Sequence, residues 1–113
     1  GLRVSLALND GQRPLPARIE LAIYRIVQES LTNVLKHAGP NARAEVRIHT
    51  DERTVTVEVE DDGDSATRLP GSGHGIAGMR ERTQLLGGSL EAGPRRGGGF
   101  SVIARLPAAE GVA

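Results

Sequence analysis

Residues 17–38 read ARIELAIYRIVQESLTNVLKHA, and the spacing of apolar positions in that stretch decides the fold. At about 100° per residue, Ile19, Ile23, Ile26, Val27, Ser30 and Val34 gather on one face, and Leu31 and Leu35 widen it. Pro14 and Pro16 stand just before the stretch and Gly39-Pro40 just after it. Proline suits a helix start and glycine a helix end, so the spacing predicts a helix from about Ala17 to about Ala38. A helix of this length with one apolar stripe needs a second layer to lie against.

Strand patterns on either side supply that layer. Val4, Leu6 and Leu8 alternate with Arg3, Ser5 and Ala7, which predicts a short strand with one buried face. Ala44, Val46 and Ile48 alternate with Glu45, Arg47 and His49; Val55, Val57 and Val59 alternate with Thr56, Glu58 and Glu60. The polar Asp51-Glu52-Arg53 between these two runs suits a hairpin. Residues 62–75 are small and loop-like. A second helix is expected over Ile76 to Leu86, stopped by Gly87-Gly88, followed by a short strand over Ser89–Glu91. Phe100, Val102, Ala104 and Leu106 alternate as a last strand, and a frayed tail is expected after Pro107. One-faced strands covered by two helices make a two-layer α/β sandwich of the α+β kind.

The chain has 113 residues, which suits one domain over 1–113. Hydrophobic residues make up 38%, with one Tyr, one Phe and no Trp, so the core must be built from aliphatic side chains. So few aromatics argue against single-stranded nucleic-acid binding, which stacks bases on rings. Lys+Arg and Asp+Glu are both 14, so no basic field draws the chain to DNA or to a membrane surface. There is no Cys, which excludes disulfides and thiolate metal sites. No apolar run is long enough to span a bilayer, no signal peptide is visible, and a cytoplasmic location is expected. The chain starts on Gly1 without an initiator Met, so it is expected to be a piece of something larger.

Three stretches carry chemistry. On the long helix, Glu29, Asn33 and Lys36 fall within about 60° of one another beside the apolar stripe, and His37 lies between them and it. An acid, an amide oxygen and an ammonium in one patch suit a magnesium–phosphate group, although a solvated helix face has the same look. Glu60-Asp61-Asp62-Gly63-Asp64 crowds carboxylates at a strand end. A carboxylate there suits an exocyclic amine such as adenine's, and Gly63 would let a base come close; an ordinary Asp-Gly turn is the plain alternative. Gly73-His74-Gly75-Ile76-Ala77-Gly78 is a G-x-G-x-x-G opening a helix, whose N–H groups suit phosphate. It lacks the leading strand of a dinucleotide fingerprint, and no P-loop motif is present.

In this order the three stretches resemble the catalytic ATP-binding domain of sensor histidine kinases. Residues 28–38 resemble the N box, Asp61-Asp62-Gly63 the first glycine box and residues 73–82 the second. Leu86-Gly87-Gly88, Gly97-Gly98-Gly99-Phe100 and the final strand complete a likeness covering nearly the whole chain. The Gln28-Glu29 pair and Gly78-Met79-Arg80-Glu81-Arg82 resemble the nitrate-sensor-like subfamily. The resemblance implies the Bergerat fold of gyrase, heat-shock chaperones and MutL-type repair proteins: a mixed, mostly antiparallel sheet covered on one face by helices. It implies ATP and Mg2+ as ligands, with Asn33 on the magnesium and Glu29 as a base. Lys36 and His37 would approach the phosphates, and Asp61 and Gly63 would receive the adenine. Gly73, Gly75 and Gly78 would form the hinge and phosphate side of a lid.

Two departures stand out. Ser65 occupies a position where a further glycine is usual, and Gly98 and Gly99 stand where many relatives have a threonine. The lid over Ser65–Ser72 is short and lacks an aromatic. No histidine looks like a phosphoacceptor, since His37 and His74 lie in the ligand motifs and His49 on a strand. The resemblance therefore implies a separate helical-hairpin dimerisation domain carrying the acceptor, then a response regulator with a helix-turn-helix output. The fragment itself is expected to be monomeric, free of membrane and direct nucleic-acid contact, and unable to phosphorylate itself. An anti-sigma-factor-type serine kinase and a degenerate interaction module are the alternative readings.

Overall fold

A computed structural model describes residues 3–9, 14–39, 41–63 and 74–108. The elements run β1 (Arg3–Asn9), α1 (Ala17–His37), β2 (Arg43–Thr50), β3 (Thr54–Asp61), α2 (His74–Leu85), β4 (Ser89–Pro94) and β5 (Phe100–Pro107). The stripe in α1 is realised as expected: Ile19, Ile23, Ile26, Ser30 and Val34 are the buried positions. Each buried Ile or Val adds about 2 kcal/mol of apolar transfer, so the stripe and not local propensity holds the helix in place. Pro16 caps the start, its carbonyl accepting from Ile19 N at 2.9 Å and Glu20 N at 3.0 Å.

The strands form one five-stranded sheet in the order β1-β2-β3-β5-β4. β1 pairs parallel with β2, across α1; the other three pairings are antiparallel. Alternation works as read on β3, where Val55, Val57, Val59 and Asp61 are buried and the residues between them half-buried. The main core joins Ile19, Ile23 and Ile26 of α1 to Val55, Val57, Val102, Ala104 and Leu106 of the sheet and Met79 of α2. A second buried cluster joins Val34 and Ala38 to Ala42 and Ala44. These two clusters fix the direction of α1: its N-terminal half lies over the start of β3 and its C-terminal end over the finish.

α2 ends in a Schellman pattern, with Gly88 N donating to Thr83 O at 2.9 Å and Gly87 N to Gln84 O at 3.0 Å. It begins at His74, two residues before the expected start, because Gly75 belongs to its first turn. Two expectations need correction. Val4 and Leu6 are 47% and 60% exposed, so β1 has no buried face there. β1 is an edge strand, paired only with β2 among the described elements, and the helices pack on the other strands, α1 on β2, β3 and β5 and α2 mainly on β4 at the opposite edge. The chain also stays attached one residue beyond Pro107, since Ala108 is buried and its N–H donates to Arg53 O at 2.8 Å. The remainder of the expected tail lies outside the described residues.

Candidate functional site

β3 delivers Asp61 to the inner face of the sheet, where it is 3% exposed. A carboxylate is costly to bury unless hydrogen bonds satisfy it. Asp61 Oδ1 accepts from Gly63 N at 2.9 Å, closing a tight turn. The surrounding backbone is locked. Asp62 Oδ1 accepts from Arg43 N at 2.6 Å, and Asp62 N donates to Arg43 O at 3.1 Å, which ties the turn to β2. Arg95 donates through Nη1 to Asp61 O at 3.1 Å and pairs through Nε with Glu60 at 3.0 Å.

Glycines bring the neighbouring elements close. A methyl on Gly63 would overlap the Cβ and carbonyl oxygen of Ala38, so the turn is pressed against the end of α1. Gly99, at φ +92, lies against the Asp61 carbonyl, where a methyl would overlap the oxygen and sit 3.2 Å from Asp62 Cα. Side-chain residues avoid both that φ and that contact. Gly99 and Arg95 were not assigned roles at this turn from sequence: their partners lie more than thirty residues away, and only the folded sheet brings them together.

Glu29, Asn33 and His37 are half-buried and Lys36 is exposed, along the C-terminal half of α1. Glu29 and Asn33 are one turn apart, with Cβ atoms about 6 Å from each other. Among the described residues no cluster of three or more His, Cys, Asp or Glu could hold a metal by itself. Asn33 presents an amide oxygen and Glu29 a carboxylate, the hard donor types that magnesium takes beside waters and phosphate oxygens. The Glu29 carboxylate also meets α2, because a methyl on Gly75 would overlap Glu29 Oε1. So the structure brings Glu29 and Gly75 together at one side of α1, and Asp61, Gly63 and the end of α1 together at the other.

Gly78 lies inside α2, within the helix expected from Ile76 onward, and a methyl there would come only within 3.5 Å of Arg82, an ordinary contact. Gly73, Ser65 and the Ser65–Ser72 lid lie outside the described residues. Ser30, assigned from its spacing to the apolar stripe, is a buried hydroxyl whose Oγ has no hydrogen-bond partner among the described residues. No helix of the described residues is long and apolar enough to cross a membrane.

The sequence profile described as "Histidine kinase-, DNA gyrase B-, and HSP90-like ATPase" matches residues 18–110. The chain is 36% identical over 108 residues to the sensor histidine kinase YxjM of Bacillus subtilis (strain 168), covering 95% of this chain and 26% of YxjM. It is 33% identical over 103 residues to the signal transduction histidine-protein kinase/phosphatase DegS of Brevibacillus brevis, covering 88% of this chain and 26% of DegS. The chain thus spans about a quarter of the length of these curated relatives. Among solved structures, the histidine kinase domain of the Erythrobacter litoralis EL346 blue-light activated histidine kinase superposes with a TM-score of 0.75 at 25% identity, covering 95% of this chain and 52% of that one.

Proposed function

This chain belongs to the family of histidine kinase-, DNA gyrase B- and HSP90-like ATPases, and from that premise we propose that it is the Mg-ATP-binding catalytic domain of a sensor histidine kinase. It would hand the γ-phosphate to a histidine on a separate helical-hairpin dimerisation domain, for relay to a response regulator with a helix-turn-helix output. The observation that carries the reading is Asp61: a buried carboxylate at a strand end, where Gly63 lets the turn press against the end of α1 and Gly99 lets the β4–β5 turn press against the strand. A charged acceptor in a buried cleft gains most from a ligand that brings N–H donors, and adenine's exocyclic amine does so.

The other residues divide the remaining work. Gly63 leaves room beside the base. Asn33 would offer its amide oxygen to magnesium, which when bound neutralises phosphate charge and orients the triphosphate. Lys36 and His37, on the last turn of α1, would meet the phosphates. Gly73, Gly75 and Gly78 would form the phosphate side of the site, with the first turn of α2 directing N–H groups outward. In the transfer itself an imidazole nitrogen of the acceptor attacks the γ-phosphorus, the bond to the β–γ bridging oxygen breaks, and ADP leaves. The acceptor ring loses its N–H proton, and Glu29 is the carboxylate placed to take it. Without the acceptor domain the chain is expected to bind nucleotide, remain monomeric in the cytoplasm, and gain no phosphohistidine. The anti-sigma-factor reading is not favoured, since the relatives found are sensor kinases.

Calorimetric titration of ATP, with and without magnesium, tests the reading. Wild-type protein should bind ATP. Asp61→Ala should weaken binding at least tenfold, the scale of a lost charged hydrogen bond (about 1.5–3 kcal/mol). Asn33→Ala should bind ATP with a much smaller difference between magnesium and chelator. An Asp61→Ala protein that binds as wild type removes Asp61 from the site, and an unchanged magnesium difference in Asn33→Ala removes Asn33 from the metal.

A further inference from the structure

Ser30 lies on the buried stripe of α1 between the residues of its two core clusters. Ile26 belongs to the main core with Val57, whereas Val34 belongs to the second cluster with Ala44, the register partner of Asp61. Val46 and Val59, each 2% exposed, are the inward positions of β2 and β3 between these two groups. Ser30, Val59 and Asp61 are all buried, at 2%, 2% and 3% exposure.

Chain geometry gives the same level. Ala38 touches Gly63. Ser30 is eight residues earlier on the helix, about 12 Å at 1.5 Å per residue. The same length along β3, at about 3.3 Å per residue, reaches back from Gly63 to Val59. Val59 is the inward position next to Asp61, about 7 Å away along the strand.

At 2% exposure Ser30 has an Oγ with no hydrogen-bond partner among the described residues. Helical hydroxyls have a ready solution, the carbonyl one turn back. Thr83 uses it, donating to Met79 O at 2.6 Å, and Thr32 uses it, donating to Gln28 O at 2.8 Å. Ser30 does not use the Ile26 carbonyl. Its hydroxyl is left for a partner outside the helix, at the level of the strand that carries a buried carboxylate.

We propose that Ser30 is a purine-binding residue, its Oγ donating to a ring nitrogen of the adenine, directly or through one water, beside Asp61. This rests on the ATP reading and deepens it. Adenine carries an N–H donor and ring-nitrogen acceptors on one flat face edge, so an acceptor and a donor side by side in the cleft match it. Asp61 takes the amine and Ser30 supplies the donor that a carboxylate lacks.

Ser30→Ala tests this, measured beside wild type and Asp61→Ala by titration of ATP and ADP and by thermal unfolding without nucleotide. The expected result is affinity about fivefold weaker, by the same factor for both nucleotides, because the lost bond is to the base. The unfolding temperature without nucleotide should hold or rise, because the substitution removes a buried hydroxyl that has no partner. Equal affinity in Ser30→Ala, with Asp61→Ala impaired, overturns the role of Ser30 and leaves the ATP reading standing. A loss seen with ATP but not ADP overturns it too, by moving the contact to the phosphates. A lowered unfolding temperature overturns it by showing that the hydroxyl serves the fold. Absence of binding in wild type overturns both readings together.

Discussion

β3 carries an aspartate-anchored turn at each end, and the two differ in one respect that matters. At its start Asp51 Oδ1 accepts from Arg53 N and Thr54 N, both at 2.8 Å, and the side chain lies in solvent. At its finish Asp61 Oδ1 accepts from Gly63 N at 2.9 Å, and the side chain lies beneath α1. The local chemistry is the same: a short side chain replaces a backbone carbonyl and holds a turn. Water satisfies the remainder of the Asp51 carboxylate. Asp61 is 3% exposed, so its carboxylate is held by the protein around it. A shared turn chemistry is therefore exposed at one aspartate and buried at the other, and burial is what singles out Asp61 as the candidate for a ligand.

The largest expected effect comes from breaking the close approaches that bury Asp61. Gly99→Ala places a methyl onto the Asp61 carbonyl at a φ of +92, which side chains avoid. Overpacking and backbone strain together should cost about 3 kcal/mol, read as a lower denaturation midpoint with weaker ATP binding. Gly98→Ala is the control. Its φ is +113, but nothing lies within 4 Å of the added methyl, so it carries the strain without the collision. If the two variants unfold alike, the contact with Asp61 contributes nothing and the strand end is not built as described.

A smaller, opposite-signed effect is expected where α2 meets α1. Gly75→Ala adds a good helix former in the first turn of α2, worth about 0.5–1 kcal/mol of stability. The new methyl also displaces the Glu29 carboxylate. The unfolding midpoint should hold or rise while phosphoryl transfer in the longer kinase falls and ATP affinity changes little. Transfer at the wild-type rate would remove Glu29 from the chemistry.

The elements were legible in the sequence because periodicity records local geometry. α1 runs Ala17–His37 against an expected end near Ala38, and the alternation on β3 places Val55, Val57 and Val59 inward as read. β1 shows where this stops. Val4, Leu6 and Leu8 alternate as cleanly as the valines of β3, but alternation says which residues share a face and not whether anything covers it. Val4 and Leu6 are exposed at the sheet edge. Ser30 was hidden for a related reason: its spacing put it correctly on the buried stripe, and spacing alone cannot show that its hydroxyl is unpartnered. Gly99 and Arg95 were out of reach because their contacts with Asp61 cross from the β4–β5 turn to β3. Resemblance to the kinase motifs supplied Asp61, Glu29 and Asn33 as candidates. The folded chain adds the packing around them.

The smallest effect belongs to Asp51 and completes the contrast between the two turns. The backbone N–H donors of Arg53 and then Thr54 hold the Asp51 carboxyl below its ordinary pKa. A folded pKa below the unfolded one means the charged form supports the fold. That support is fully present above the ordinary aspartate range and is lost as pH falls through the lower, folded value. Asp51→Ala should therefore unfold slightly more easily than wild type at neutral pH, and the two should converge in acid. ATP affinity should be unchanged, because this carboxylate faces water at the opposite end of β3 from Asp61. If Asp51→Ala weakens ATP binding as Asp61→Ala does, burial is not what separates the two aspartates, and nucleotide binding would depend on the whole length of β3 being held.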